Sequence, residues 1–142
     1  MEFSNILSDH DAYLQVASSE KVDQYYLTGF SAADEYIYLR KGSEEFLIVP
    51  KLEYGRAVEE SDVENVESTS DYLEGDARDD EERQIRILEA LLEEKDLEDV
   101  AVPRDFDLYR ADELRSRGIR IEPVRSPVKT SRMSKKADEL EK

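Results

Sequence analysis

Residues 81–124 alternate two patterns that few fold classes accommodate. Over 81–95, Ile85, Leu88 and Leu92 fall at i, i+3 and i+7, with Ile87 and Leu91 widening the stripe, which predicts an amphipathic helix. Val100-Ala101-Val102 then reads as a buried strand halted by Pro103. Residues 106–117 predict a second helix with Gly118 as its C-terminal cap, and 119–124 a further strand. Helix, strand, helix, strand at this spacing requires crossover connections and therefore parallel pairing.

The N-terminal half supplies antiparallel partners. Phe3, Ile6 and Leu7 suit one face of a short helix, and 12–17 a first strand. Residues 25–30 read as a second β-rich run closed by Gly29. Residues 36–39 and 46–49 flank a short loop containing Gly42, the pattern of a hairpin, and Pro50 ends its second strand. A short helix over 51–60, a short strand over 63–66 and a polar loop over 67–80 complete this half. The expected fold is α/β, three layers, α/β/α, around a mixed, mainly parallel sheet. The domain spans 1–125, and 126–142 is a linker and the start of something further. At 142 residues the chain can bury about 68–70% of its unfolded surface around one core.

Chemistry is sparse. The single histidine, His10, cannot form a two-histidine zinc motif, and with no cysteine it lacks a soft partner; it reads as a surface or helix-end residue. The five glycines stand singly, so no phosphate-cradling loop is present, and no Gly-x-Ser-x-Gly elbow occurs. The acids at 79–82 lack the alternating ligands of a calcium loop and suit the positive end of the 81–95 helix. Tyr25, Tyr26, Tyr36 and Tyr38 gather on two adjacent expected strands, where they serve either packing or an interface.

With 36 acidic against 20 basic side chains, a formal charge of −16, nucleic acid and anionic membrane are disfavoured as partners. The acids are dispersed and arginine outnumbers lysine, a surface like that of proteins from salt-loving organisms, where ionic strength screens self-repulsion. No apolar run is long enough to span a membrane, no signal peptide is visible, and the absence of cysteine suits a cytoplasmic location.

Several segments carry a further signal by their order: Asp11-Ala12-Tyr13-Leu14, Tyr26-Leu27-Thr28-Gly29-Phe30, Val49-Pro50 with Arg56-Ala57, Leu114 to Ile119, and Arg132 to Leu140. Together they resemble the N-terminal domain of the creatinase, prolidase and aminopeptidase P group of metallopeptidases. The resemblance covers nearly the whole chain. It implies a non-catalytic domain of an Xaa-Pro aminopeptidase or dipeptidase, one that shapes the dimer and restricts access to a substrate channel. It also implies a separate pita-bread catalytic domain holding two divalent metal ions (Mn, Co or Zn), with this chain a truncated or separated part.

In relatives the loop after the Thr-Gly-Phe segment approaches a neighbouring subunit's active site. Here that loop is Ser31-Ala32-Ala33-Asp34-Glu35, without the His or Arg that relatives often place there. Tyr26, Phe30, Ser31, Asp34 and Glu35 are thus the candidate channel or interface residues. Asp34 or Glu35 would meet a peptide's free amine, or both are simply solvated. The expected partners are the missing catalytic domain and a second copy. Two other readings stand beside this one: a protein-interaction module binding through a tyrosine-rich sheet edge, and an independent two-metal hydrolase using surface carboxylates.

Overall fold

The computed structural model describes residues 3–73 and 80–128. Helix α1 (Phe3–Asp9) leads into β1 (Ala12–Ala17), then α2 (Val22–Thr28), β2 (Tyr36–Lys41) and β3 (Glu44–Val49). A 3-10 turn (Lys51–Glu53), α3 (Tyr54–Glu60) and β4 (Asn65–Ser68) follow, then α4 (Asp80–Glu94), β5 (Asp99–Pro103), α5 (Leu108–Ser116) and β6 (Arg120–Val124). The six strands form one sheet in the order β4-β3-β2-β1-β5-β6. Pairings β3–β4, β1–β5 and β5–β6 are parallel, whereas β1–β2 and β2–β3 are antiparallel. The expected mixed, mainly parallel sheet is the one observed.

Alternation along the strands divides the core into two layers, because successive side chains leave opposite faces of a sheet. Leu14, Ile37, Leu39, Ile48, Val100 and Val102 point to the face covered by α4 and α5, where Leu88, Leu91, Leu92 and Leu114 meet them. Tyr13, Tyr36, Tyr38, Leu47, Val49 and Ala101 point to the other face, packed with Phe3 of α1, Leu27 of α2 and Ala57 of α3. Each fully buried aliphatic side chain here contributes about 1.5–3 kcal/mol relative to exposure. The hairpin turns on Gly42, whose φ of 61° lies in the left-handed region, with Lys41 paired to Glu44.

The structure corrects several expectations. Residues 25–30 do not form a strand; 22–28 are helix α2. The aromatic pair Tyr25-Tyr26 favours a strand locally, but Asp23, Gln24, Leu27 and Thr28 are the buried positions, a helical spacing of i, i+1, i+4 and i+5. Gly29 ends the helix at φ 66°, its N–H donating to Tyr25 O at 2.7 Å. Strand β4 lies two residues later than expected, with Val63 buried ahead of it. The tyrosine-rich strand β2 is interior to the sheet, so Tyr36 and Tyr38 are packing residues, and among the described residues neither edge strand, β4 or β6, carries a tyrosine. His10 does follow a helix end, but its ring is only 8% exposed, with Nδ1 at 2.7 Å from Asp99 Oδ1. The expected helical tail and the Arg132–Leu140 segment lie outside the described residues.

Two buried polar residues tie distant segments together. Gln24, fully buried, donates to Ala17 O at 3.1 Å and Tyr36 O at 2.8 Å and accepts from Gln15 Nε2 at 3.0 Å. Asp23, also buried, accepts from Ser126 Oγ at 2.5 Å, and Val128 is buried beyond it against the α2 layer.

Candidate functional site

The loop between α2 and β2 leaves the sheet at the carboxyl ends of β1 and β3, where ligands sit in open α/β sheets. Its base is fastened from several directions. Thr28 Oγ1 donates to Gln24 O at 2.9 Å and accepts from Phe30 N at 3.1 Å. Tyr36 Oη donates to Phe30 O at 2.6 Å, closing the loop's two ends on each other. Burial holds the Tyr36 phenol neutral, raising its pKa to about 12 against a smaller opposing effect of the Thr28 hydrogen bond. Ser19 clasps the middle of the loop, its Oγ donating to Ala32 O at 2.8 Å and accepting from Ala32 N at 2.9 Å. From α3, Arg56 donates to Ser31 O at 2.6 Å and lays its guanidinium 4.8 Å above the Phe30 ring.

The result is a loop with a fixed base and an exposed acidic tip. Consecutive residues then line different cavities. Phe30, Ser31 and Asp34, with Pro50 and Arg56, line one of about 410 Å³. Glu35 lines another of about 440 Å³, where its carboxylate accepts from both terminal nitrogens of Arg110, at 2.6 and 3.3 Å. Of the five residues expected to form a site, Phe30, Ser31 and Asp34 are brought together and Glu35 faces away from them. Tyr26 packs on α2 against the apolar layer and lines neither cavity. Phe30 is fully buried, so it supports the loop and offers no exposed surface.

The residues present do not fit a two-metal centre: among the described residues no three of His, Asp and Glu converge on one point. No helix among them is long and apolar enough to cross a membrane.

Residues 7–134 match the family model described as Creatinase/Prolidase N-terminal domain. The chain belongs to this family. The creatinase/prolidase N-terminal fold is also that of the prolidase from Pyrococcus horikoshii OT3, at TM-score 0.60 and 24% identity over 87% of this chain and 30% of that one. The X-Pro aminopeptidase from Thermotoga maritima MSB8 is similar at TM-score 0.64 and 18% identity, over 86% of this chain and 33% of that one. The N-terminal domain of an Xaa-Pro dipeptidase from Lactobacillus brevis is similar at TM-score 0.58 and 15% identity, covering 93% of both chains. The chain thus spans about a third of the length of the first two. Comparison with curated proteins gives no significant match.

Within this creatinase/prolidase domain, Arg56 and Arg110 are the loop-holding residues that sequence reasoning missed. Arg56 stands 25 residues from Ser31 and Arg110 stands 75 from Glu35. Nothing local in the sequence marks either pairing. Arg56-Ala57 enters the family resemblance only as a motif.

Proposed function

We propose that this chain is the non-catalytic N-terminal domain of a cytoplasmic Xaa-Pro metallopeptidase, of aminopeptidase P or Xaa-Pro dipeptidase type. Its role is to shape a homodimer and to wall the substrate channel. The observation that carries this reading is the loop at 31–35: a base held by Thr28, Tyr36, Ser19 and Arg56, and an exposed tip carrying Asp34. A held loop presents a charged tip at a fixed height, which is what a channel wall requires. With Glu35 engaged by Arg110, Asp34 is the carboxylate that would face a peptide's free amine. Leu52 (97% exposed), Tyr54 and Val58 supply apolar surface close to the same cavity, in keeping with a subunit contact. Hydrolysis of the bond preceding proline would come from water held between two divalent ions, Mn, Co or Zn, in a second domain.

The test assays an Xaa-Pro dipeptide and a longer Xaa-Pro peptide with Mn²⁺, comparing this chain with the product of its whole gene. The reading expects turnover from the whole product and none from these 142 residues. Turnover by this chain alone overturns the accessory role. A whole gene product without peptidase activity overturns the peptidase assignment.

A further inference from the structure

One exposed helical face is symmetric about its own centre. Residues 51–60 form a continuous helical run, the 3-10 turn leading straight into α3. Residues three or four apart on a helix share a face. Lys51, Gly55 and Glu59 are spaced by four, and Leu52, Gly55 and Val58 by three, so the five meet on one stripe centred on Gly55. All five are exposed, Leu52 almost completely, while Ala57 on the opposite side of the helix is buried in the core.

Gly55 is a residue that the fold itself does not call for. Its φ is not positive, and a Cβ built on it would meet nothing within 4 Å. Glycine nevertheless weakens a helix relative to alanine. A bare backbone at the centre of an exposed apolar stripe suits the close approach of another helix. The two ends of the stripe carry opposite charges, Lys51 and Glu59, neither with a side-chain partner among the described residues. In an antiparallel pair about a two-fold axis at Gly55, Leu52 comes level with the second copy's Val58 and Lys51 with its Glu59, twice over. The sheet edges serve a copy less well. On β6, Ile121 O accepts from Arg115 Nε at 3.3 Å and Nη2 at 2.9 Å, and Pro123 has no N–H to offer. On β4, Ser68 N already donates to Asp71 Oδ2 at 3.0 Å.

We propose that a second copy of this chain docks on the stripe, Gly55 against Gly55 in antiparallel two-fold contact. This deepens the homodimer of the reading above by naming its surface. The stripe of one short helix buries less than the roughly 800 Å² per partner of a standard interface, so the pair is weak and reversible.

The experiment is sedimentation equilibrium of the 142-residue chain, which should show a monomer–dimer Kd of about 0.1 mM. Lys51→Glu and Glu59→Lys each set like charges across the axis, and each should weaken the dimer about five-fold. Mixed one to one, these two variants should pair with each other at about the original affinity, because both contacts become opposite pairs again. Gly55→Ala should raise the thermal midpoint of the dilute monomer by about 2–4 °C yet weaken the dimer. A packing role within the chain would not give those two directions together. Leu52→Ser should weaken the dimer, whereas Leu108→Ser, at another exposed leucine, should leave it unchanged. Absence of a dimer at about 1 mM overturns the proposal. So does a mixture no tighter than either charge variant alone, or a dimer that Leu108→Ser weakens and the 51–59 changes do not. No arm uses peptidase turnover, so a monomeric chain leaves the peptidase assignment standing, and an inactive gene product leaves the dimer standing.

Discussion

Replacing Gly29 with alanine should destabilise the fold by about 2–3 kcal/mol, although the change adds one methyl group. Gly29 sits at φ 66°, where an L side chain costs about 1–2 kcal/mol. A Cβ built there would also collide with Asp62 Oδ2 and lie 2.7 Å from its Cγ. Asp62 cannot simply withdraw, because its own N–H donates to Thr28 O at 2.8 Å. Its side chain must leave its rotamer, at a cost of about 0.5–1.5 kcal/mol. Urea unfolding followed by far-UV circular dichroism should show a lower midpoint with an unchanged slope. The thermal midpoint should fall by about 6–12 °C. Gly29→Ala/Asp62→Ala should recover about 1 kcal/mol of the loss, since only the collision is relieved. A loss below about 0.5 kcal/mol for Gly29→Ala would refute the left-handed cap, and with it helix α2. A double variant no better than the single would show that Asp62 is not the obstacle.

Three further expectations follow from the buried and charged groups. Gln24→Leu should cost about 3–4 kcal/mol in denaturant unfolding, because the Ala17 and Tyr36 carbonyls and the Gln15 amide lose their partner; a cost below about 1 kcal/mol would show that the amide is dispensable. Burial raises the pKa of Tyr13, Tyr36 and Tyr38, Tyr36 to about 12. Their stabilising effect is therefore complete below the unfolded value of 10.0 and is lost as pH rises through the folded one. Their phenolate absorbance should appear only together with the unfolding transition, and its appearance in the folded chain would contradict their burial. Raising KCl from about 0.1 to 1 M, which shortens the screening length from about 10 to about 3 Å, should raise the thermal midpoint of a chain of charge −16. An unchanged midpoint would remove salt adaptation as the reason for its acidity.

What could be read from the chain divides along a physical line. The α4 stripe and the Gly42 hairpin are periodic or local signals, and both stand where the sequence places them. Helix α2 departs from the expected strand because Tyr25 and Tyr26 carry a local β preference. Its helical burial pattern runs through Asp23, Gln24 and Thr28, polar residues that periodicity reasoning does not count as core. Their burial depends on partners such as Ser126, Gln15 and Tyr36, which only the folded chain supplies. The same holds for the site. Loop 31–35 was legible through family resemblance, yet its anchors Ser19 and Arg56, and the Arg110 that holds Glu35, come from other elements. The cavities form where strand ends far apart in sequence meet, and no window of residues contains them.

The bond between Asp23 and Ser126 has a mechanical consequence. It fastens the segment leaving β6 to α2, and burial of Val128 seals that junction. The opposite end of α2 runs through Gly29 directly into loop 31–35. The segment 126–128 is therefore geared to the same short rod that sets the loop. Cutting Ser126 away would leave a buried carboxylate without its hydroxyl and reduce that gearing to a slack tether.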